Sequence, residues 1–557
     1  MSIPIERIIR ELSRPDAYAH TVDDIDVIQT HISVIFLAGD LVYKVKKPVD
    51  FGFLDFTTLE KRRHYCEEEL RLNRRLSPGI YLDVVPVIDG PEGLRIAEHK
   101  GEHKVKHKVS ETAGQEHRVT ETTVEETAVE FAVVMRRLDE SRLLSTLLPA
   151  GSVHESTMGT IAKRIADFHR KAETGPEITA KGGTDAVIFN TEENFRQIEL
   201  YVGETLSKDT YDRIVRYTRT FLDVNRDLFA RREAEGWIRD GHGDLHTQHI
   251  CLSDGIQIFD CIEFNERFRY GDVLVDAAFL AMDLERLGYE ELADEFSRYY
   301  LGMMDQSELV GLFNFYACYR AVVRGKVEGF RSRDPDIGPP EAQKARENAG
   351  AFFLLGEKYA RTLVPPVLIA GCGLMGSGKS TLAKALDSYL DIVLLSSDRI
   401  RKELAGLDPT SPRHVPFGSD IYSREFSART YGELHNRAVT LMKGGQSVFL
   451  DASYMTRDLR DLAVEAAREG GAGFLLVHMD PGEEKLRERL RKRILKKGGI
   501  SDGREEILGD QIKAFKPPVE IPEEQKLTFT SSDALELQVR ETFRRLLRTK
   551  GWSDCDS

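Results

Sequence analysis

At 557 residues, with 41% hydrophobic and 31% charged residues and a formal net charge of −14, the chain is too long for one hydrophobic core and too apolar for a disordered one. No apolar run approaches the roughly 20 residues of a membrane-spanning helix, and the opening MSIPIERIIRELSRP lacks the apolar stretch of a secretory signal, so a cytoplasmic location without membrane attachment is expected. The acidic excess lies ahead of residue 366 and disfavours general nucleic-acid binding there, whereas the basic stretch Lys485–Lys497 leaves nucleic acid possible but not favoured for the remainder.

In chain order, Leu41-Val-Tyr-Lys44 reads as a strand. A helix follows, opened by the capping box Thr57-Thr-Leu-Glu60 and carrying Leu59, Cys66 and Leu70 at helical spacing. Residues 99–127 are polar, rich in Lys, His, Glu and Thr, and read as an exposed insertion; their histidines form no metal pattern that outweighs a solvated segment. Glu130-Phe-Ala-Val-Val-Met135 reads as another strand. His242-Gly-Asp244-Leu-His-Thr-Gln-His249 then leads into an apolar strand pair ending in Ile258-Phe-Asp260. The run Tyr319–Lys326 is basic on one helical face. The six cysteines, Cys66, Cys251, Cys261, Cys318, Cys372 and Cys555, show no Cys-x-x-Cys pair and read as reduced and structural.

Leu363-Val-Pro365-Pro366 marks the sharpest boundary, because a stiff dipeptide separates a helical stretch from the apolar run Val367–Ala370. Next comes Gly373-Leu-Met-Gly376-Ser377-Gly378-Lys379-Ser380-Thr381. Its glycines remove side chains so that backbone N–H groups can face a phosphate chain, with Lys379 on the outer phosphates and the Ser380 hydroxyl on Mg²⁺. Two further strands end in acids, Ile392–Asp398 and Ser447–Asp451, which places both carboxylates at the ligand edge of a parallel sheet. Asp398 suits a base for an attacking hydroxyl, Arg401 one helical turn on suits an anion, and Asp451 suits the second acid behind Mg²⁺. The helix Glu483–Lys497 gathers Arg487, Arg489, Arg491 and Arg493, an arrangement suited to a lid over a migrating phosphoryl group.

Residues 366–530, through GLMGSGKS, Ser397-Asp398-x-x-Arg401, Asp451, the arginine helix and Ser501-Asp502 with Gln511, resemble P-loop kinases of the type that includes polynucleotide 5′-hydroxyl kinase, gluconate-kinase-like enzymes and zeta toxins. That resemblance implies γ-phosphate transfer from ATP to a hydroxyl, with Asp398 as base. Residues 20–330, through His242-Gly-Asp244, His249 and Asp260, resemble aminoglycoside phosphotransferases. This second resemblance implies Asp244 as the acceptor of the substrate proton, Asp260 as a Mg²⁺ ligand, Lys44 on the α and β phosphates, and a helix carboxylate paired with Lys44. Glu69 is the choice for that carboxylate, and Glu67 and Glu68 are rivals. An Asp such as Asp276 would brace the catalytic loop. Three departures stand out: His249 occupies the place of a metal-holding Asn, although hard cations prefer oxygen, no Gly-rich loop precedes Lys44, and the basic run Tyr319–Lys326 is no part of the family's pattern.

The whole arrangement resembles bacterial fusions described as bifunctional aminoglycoside phosphotransferase and ATP-binding proteins. The expected fold is an α+β kinase-like bilobal N-terminal domain (1–135 and 136–362) followed by an α/β P-loop domain with a mainly parallel sheet (363–557). The expected activity is a tandem kinase using ATP (or GTP) and Mg²⁺ on a small-molecule hydroxyl, the alternative being an active P-loop kinase regulated by an inactive kinase-like domain.

Overall fold

The computed structural model describes residues 3–98, 128–306, 309–408, 420–494, 505–530 and 532–548. The polar insertion at 99–127 and the Ser501-Asp502 element lie outside them. By contact the chain divides into two compact units, 1–187 with 231–305, and 188–230 with 306–557.

The first unit opens with a six-stranded antiparallel sheet of β1 (Ile25–Gln29), β2 (Ser33–Ala38), β3 (Leu41–Lys46), β4 (Tyr81–Gly90), β5 (Gly93–Ile96) and β6 (Ala128–Arg136), in the order β1-β2-β3-β6-β4-β5. Gly39, at φ +63°, allows the two-residue turn that pairs Ala38 with Leu41. The period of two along β3 then decides its chemistry. Tyr43 and Val45 join Val34, Phe36, Ala132 and Val134 in the core under the helix Ile5–Leu12. Lys44 and Lys46 therefore share the opposite face, on the side where Cys66 of the helix Leu59–Asn73 packs against Tyr81, Phe131 and Val133. That helix is capped by Thr58, whose hydroxyl accepts from the Lys61 amide at 3.2 Å. The cap thus sits one residue later than the expected Thr57–Glu60 box, because Thr57 is held instead by Asp55.

The remainder of the first unit is helical, with Glu155–Lys171, Val273–Arg286 and Glu290–Met303 as its long members. Short strands β7 (Ile238–Asp240), β8 (Ile250–Cys251), β9 (Gln257–Ile258) and β10 (Tyr270–Asp272) pair as β7 with β10 and β8 with β9.

The second unit holds helices including Lys208–Val224, Val310–Arg331 and Pro339–Arg361, together with a five-stranded sheet of β11 (Val367–Cys372), β12 (Ile392–Ser396), β13 (Ser447–Asp451), β14 (Gly473–Asp480) and β15 (Lys526–Thr530). All its pairings are parallel and the order is β12-β13-β11-β14-β15. Near-continuous burial along β11, β13 and β14 matches a sheet covered on both faces. The fold class is the expected one: an α+β part with an antiparallel sheet followed by a parallel α/β part. The basic run in Val310–Arg331 is satisfied internally in part, with Lys326 donating to Asn194 at 2.7 Å and Arg324 3.8 Å from Glu328. Among the described residues, no helix is long and apolar enough to cross a membrane.

Candidate functional site

In the second unit, β11 lies at the centre of its sheet and the chain leaves it to opposite sides, so the loop after β11 opens at the switch in strand order where ligands bind in such sheets. Gly373, Gly376 and Gly378 adopt φ values of +132°, +74° and +114°. A Cβ on Gly373 would stand 2.5 Å from the Met479 carbonyl oxygen, which excludes any side chain there. The helix that follows is Lys379–Asp387, with Lys379, Ser380 and Thr381 forming its first turn. The loop curls around the Lys379 ammonium, which donates to the carbonyls of Gly373 (2.8 Å) and Leu374 (2.9 Å) and to the Ser377 hydroxyl (3.2 Å).

Ser380 Oγ donates to Asp451 Oδ2 at 2.6 Å. Asp451 ends β13, as expected. Asp398 does not end β12: the strand stops at Ser396, and Asp398 is the second residue of the helix Ser397–Leu404. An acid in the first turn of a helix is favoured by the dipole, which explains the shift. The Ser397 hydroxyl donates to the Asp451 carbonyl at 3.2 Å, and Ser396 pairs with Asp451 across the sheet, so both acids remain at one edge.

Arg401 is buried, with Nη1 donating to the Ile421 carbonyl (2.6 Å) and the Ser427 hydroxyl (3.0 Å) over the Tyr422 ring. Arg489, on the helix Glu483–Ile494, donates to the Ser377 carbonyl at 2.8 Å and so already lies on the loop. Leu486 and Leu490 of that helix pack with Leu508 against Leu374 and Met375, and Gln511 Oε1 accepts from the Met375 amide at 3.3 Å. Arg487 is tied to Glu483 on its own helix at 2.6 Å, and the Arg493 side chain lies outside the described residues. The donor set fits its expected ligands: a main-chain cradle without Cβ atoms and a lysine suit a phosphate chain, and the Ser380 and Asp451 oxygens suit Mg²⁺.

The first unit gathers a separate cluster. Glu69 is wholly buried and divides its oxygens between two lysines, Oε1 at 2.8 Å from Lys44 and Oε2 at 2.7 Å from Lys46. Its rivals face outward, Glu67 to Arg63 and Glu68 to Arg71. Lys44 also reaches Asp260 Oδ1 at 3.1 Å, and Lys46 contacts Glu263. Burial would raise the Glu69 carboxyl, yet the two ammonium groups hold it below the usual carboxylate range. Burial pushes up the Glu263 carboxyl, the Glu69 charge adding to that against the pull of Lys46. Burial also opposes ionisation of Asp260, and Lys44 outweighs it, so Asp260 too is held low.

Asp276 orders the loop ahead of Asp244: its carboxylate accepts from the amides of His242 (2.6 Å) and Gly243 (2.9 Å). Gly243, at φ +86°, lies where a Cβ would meet the Phe268 carbonyl at 2.9 Å. Asp244 Oδ2 then lies 3.4 Å from His246 Nε2 and 3.6 Å from His249 Nδ1, while His249 Nε2 lies 3.5 Å from Asp260 Oδ2. Lys44, Glu69, Asp244, His249 and Asp260 are thus brought together. The residues that sequence reasoning missed are Lys46, Glu263 and His246. Lys46 was signalled by its place two residues after Lys44 on a strand; Glu263 carried no local signal.

Residues 368–518 match the family described as AAA domain (AAA_33). Over 493 residues, 88% of this chain, the sequence is 31% identical to the uncharacterized protein Rv2004c of Mycobacterium tuberculosis and, equally, to Mb2027c of Mycobacterium bovis, covering 90% of each. Among solved structures, a choline/ethanolamine kinase family protein from Mesorhizobium loti is similar over 61% of this chain and 94% of its own, at 11% identity and a TM-score of 0.36. The Mycobacterium tuberculosis APS kinase CysC in complex with AMPPNP and APS is similar over 33% of this chain and 98% of its own, at 21% identity and a TM-score of 0.25. The chain belongs to the family of these mycobacterial proteins, and the stretch that matches the AAA domain model holds the glycine loop, Asp398 and Asp451.

Proposed function

We propose that this protein is an ATP- and Mg²⁺-dependent phosphotransferase acting on a hydroxyl group of a small molecule, with the chemistry centred on the P-loop unit. The observation that carries this reading is the Ser380–Asp451 contact of 2.6 Å beside a glycine loop closed on Lys379. Lys379 exchanges the loop carbonyls for phosphate oxygens, and the loop amides turn to the same anion. Bound Mg²⁺ supplies charge neutralisation at the transferring phosphoryl group. Ser380 and Asp451 would hold it, directly or through water. Asp398, at the same sheet edge, accepts the proton of the attacking hydroxyl. Arg489 stays over the loop and neutralises developing charge, with Arg493 further along the same helix. Arg401 holds an acceptor anion by exchanging its contact with Ile421, which couples acceptor binding to the segment 420–427.

The front unit is proposed as a second nucleotide site, with Lys44 positioned by Glu69, Asp260 and His249 toward the metal and Asp244 as the base. Incubation of the full chain with γ-labelled ATP and a panel of sugar, nucleoside and aminoglycoside alcohols tests both sites. Loss of all transfer in Lys379→Ala with none in Asp244→Ala assigns the chemistry to the P-loop unit alone. Undiminished transfer in Lys379→Ala overturns the reading.

A further inference from the structure

In the loop after β7, one donor atom from each of Asp244, His246 and His249 lies within 4.8 Å of the others, and His249 spans the gap from Asp244 on its Nδ1 side to Asp260 on its Nε2 side. The His246 and His249 rings lie face to face, 4.0 Å between centroids and 38° apart. Both histidines are largely buried, whereas Asp244 and Asp260 are partly exposed.

Two hydrogen bonds orient the imidazoles. His249 Nδ1 is 2.8 Å from the Asp244 carbonyl, which can only accept, so the proton sits on Nδ1 and Nε2 presents a bare lone pair. That lone pair faces Asp260 Oδ2 at 3.5 Å, a separation two ligands of one ion adopt when each lies about 2.0–2.2 Å from it. Fixing one ring nitrogen on a carbonyl is how metal-binding histidines are held. His246 Nδ1 accepts the Gln248 amide at a long 3.4 Å. Turning Nε2 to an ion moves its proton to Nδ1 and gives up only that weak contact.

Imidazole nitrogen is a poor donor for Mg²⁺ and a good one for borderline divalent cations, and two imidazoles with one or two carboxylates give a mixed nitrogen and oxygen set. We propose that Asp244, His246 and His249, with Asp260 at the open side, bind a divalent transition cation of the Mn²⁺, Co²⁺ or Zn²⁺ class in preference to Mg²⁺. The site is distinct in chemistry from the all-oxygen pair Ser380 and Asp451. It stands whether or not the front unit transfers phosphate, since a cation held on Asp244 Oδ2 leaves Oδ1 to take a proton.

The test uses the full chain carrying Asp451→Ala, so that P-loop metal binding is suppressed. Titration calorimetry with MnCl₂ and with MgCl₂ should show one Mn²⁺ per chain bound at least ten-fold more tightly than Mg²⁺. Pulsed electron paramagnetic resonance of the Mn²⁺ form should show ¹⁴N modulation from directly bound imidazole. His249→Asn, which keeps an oxygen donor, should lose part of that modulation and narrow the Mn²⁺ preference several-fold, and His246→Gln should act likewise while circular dichroism stays unchanged. Mn²⁺ bound without ¹⁴N coupling, equal affinity for the two cations, or binding that both variants leave intact would each overturn the proposal. These outcomes are independent of Lys379, so their failure leaves the phosphotransferase reading untouched.

Discussion

Lys46 Nζ reaches Glu69 Oε2 at 2.7 Å in a fully buried pair, so the carboxylate that meets Lys44 on one oxygen is gripped by a second lysine on the other. Glu263 completes a chain of alternating charges, Lys44, Glu69, Lys46 and Glu263, within the first unit. In such an arrangement, removing one member leaves its neighbour charged and unpaired in a low-dielectric interior.

Lys46→Met should therefore destabilise the first unit by about 3–5 kcal/mol, the range for breaking a buried pair. Adding Glu263→Leu should recover a large part of the loss, because both charges then leave together. Urea denaturation of the single and double variants measures the difference. Equal stability of Lys46→Met and the parent would contradict the buried network.

At the P-loop, Gly373→Ala places a methyl 2.5 Å from the Met479 carbonyl at φ +132°. The loop must shift, at a cost of about 1–3 kcal/mol, and nucleotide affinity should fall at least ten-fold. Gly482, also at positive φ but with open space around its Cβ position, is the matched control. Binding of a fluorescent ATP analogue to the two variants separates loss of the cradle from general strain.

Asp398→Asn keeps the shape and removes the base, so transfer should fall about 10²–10⁴-fold, the usual worth of general base catalysis, with little change in the KM for ATP. Asp451→Asn should instead raise the Mg²⁺ concentration needed for half-maximal rate. Steady-state kinetics across a Mg²⁺ series distinguishes the two.

His435 provides a pH readout in the second unit. Burial lowers its imidazole to about 4 from an ordinary 6.5, and its Nε2 lies 2.9 Å from the Tyr454 hydroxyl. Between those values the unfolded chain binds a proton that the folded one does not. Stability is thus fully present above pH 6.5 and falls as pH drops toward 4, by on the order of 3 kcal/mol at about 1.4 kcal/mol per unit. His435→Gln should flatten that slope, as followed by thermal unfolding at pH 7, 5.5 and 4.5.

What was legible in the sequence was the chemistry carried by short spacing. The glycine loop, Lys379 and Ser380 form a local motif whose strand and helix are dictated by neighbouring residues, and Asp451, 71 positions on, was legible as the acid that ends an apolar strand. Glu69 was the choice through its relation to the apolar stripe containing Cys66, but spacing left Glu67 and Glu68 as rivals until the structure buried Glu69 alone of the three. What depends on chain segments far apart was not legible. Lys46 and Glu263 are 217 residues apart, and no local period encodes their contact. Arg401, one turn beyond Asp398, also donates to the Ile421 carbonyl 20 residues on, a contact that a buried guanidinium needs and that no local spacing encodes. The Thr58 cap differs from the expected Thr57 by the pull of Asp55, a competition between two hydroxyls that spacing alone does not resolve.

The path of the backbone through the two units constrains how the protein is made. Residues 188–230 belong with 306–557, although 231–305 intervene and belong with the beginning. Asn225 donates to the carbonyl of Leu547, 322 positions later, and Asp223 pairs with Arg544. At a synthesis rate of roughly 5–20 residues per second, about 15–65 s pass between the emergence of these partners from the ribosome. During that interval the helix Lys208–Val224 rests on Val310–Arg331, where Phe315 stacks on Phe221 with 4.6 Å between ring centroids, so the contacts to Arg544 and Leu547 close last.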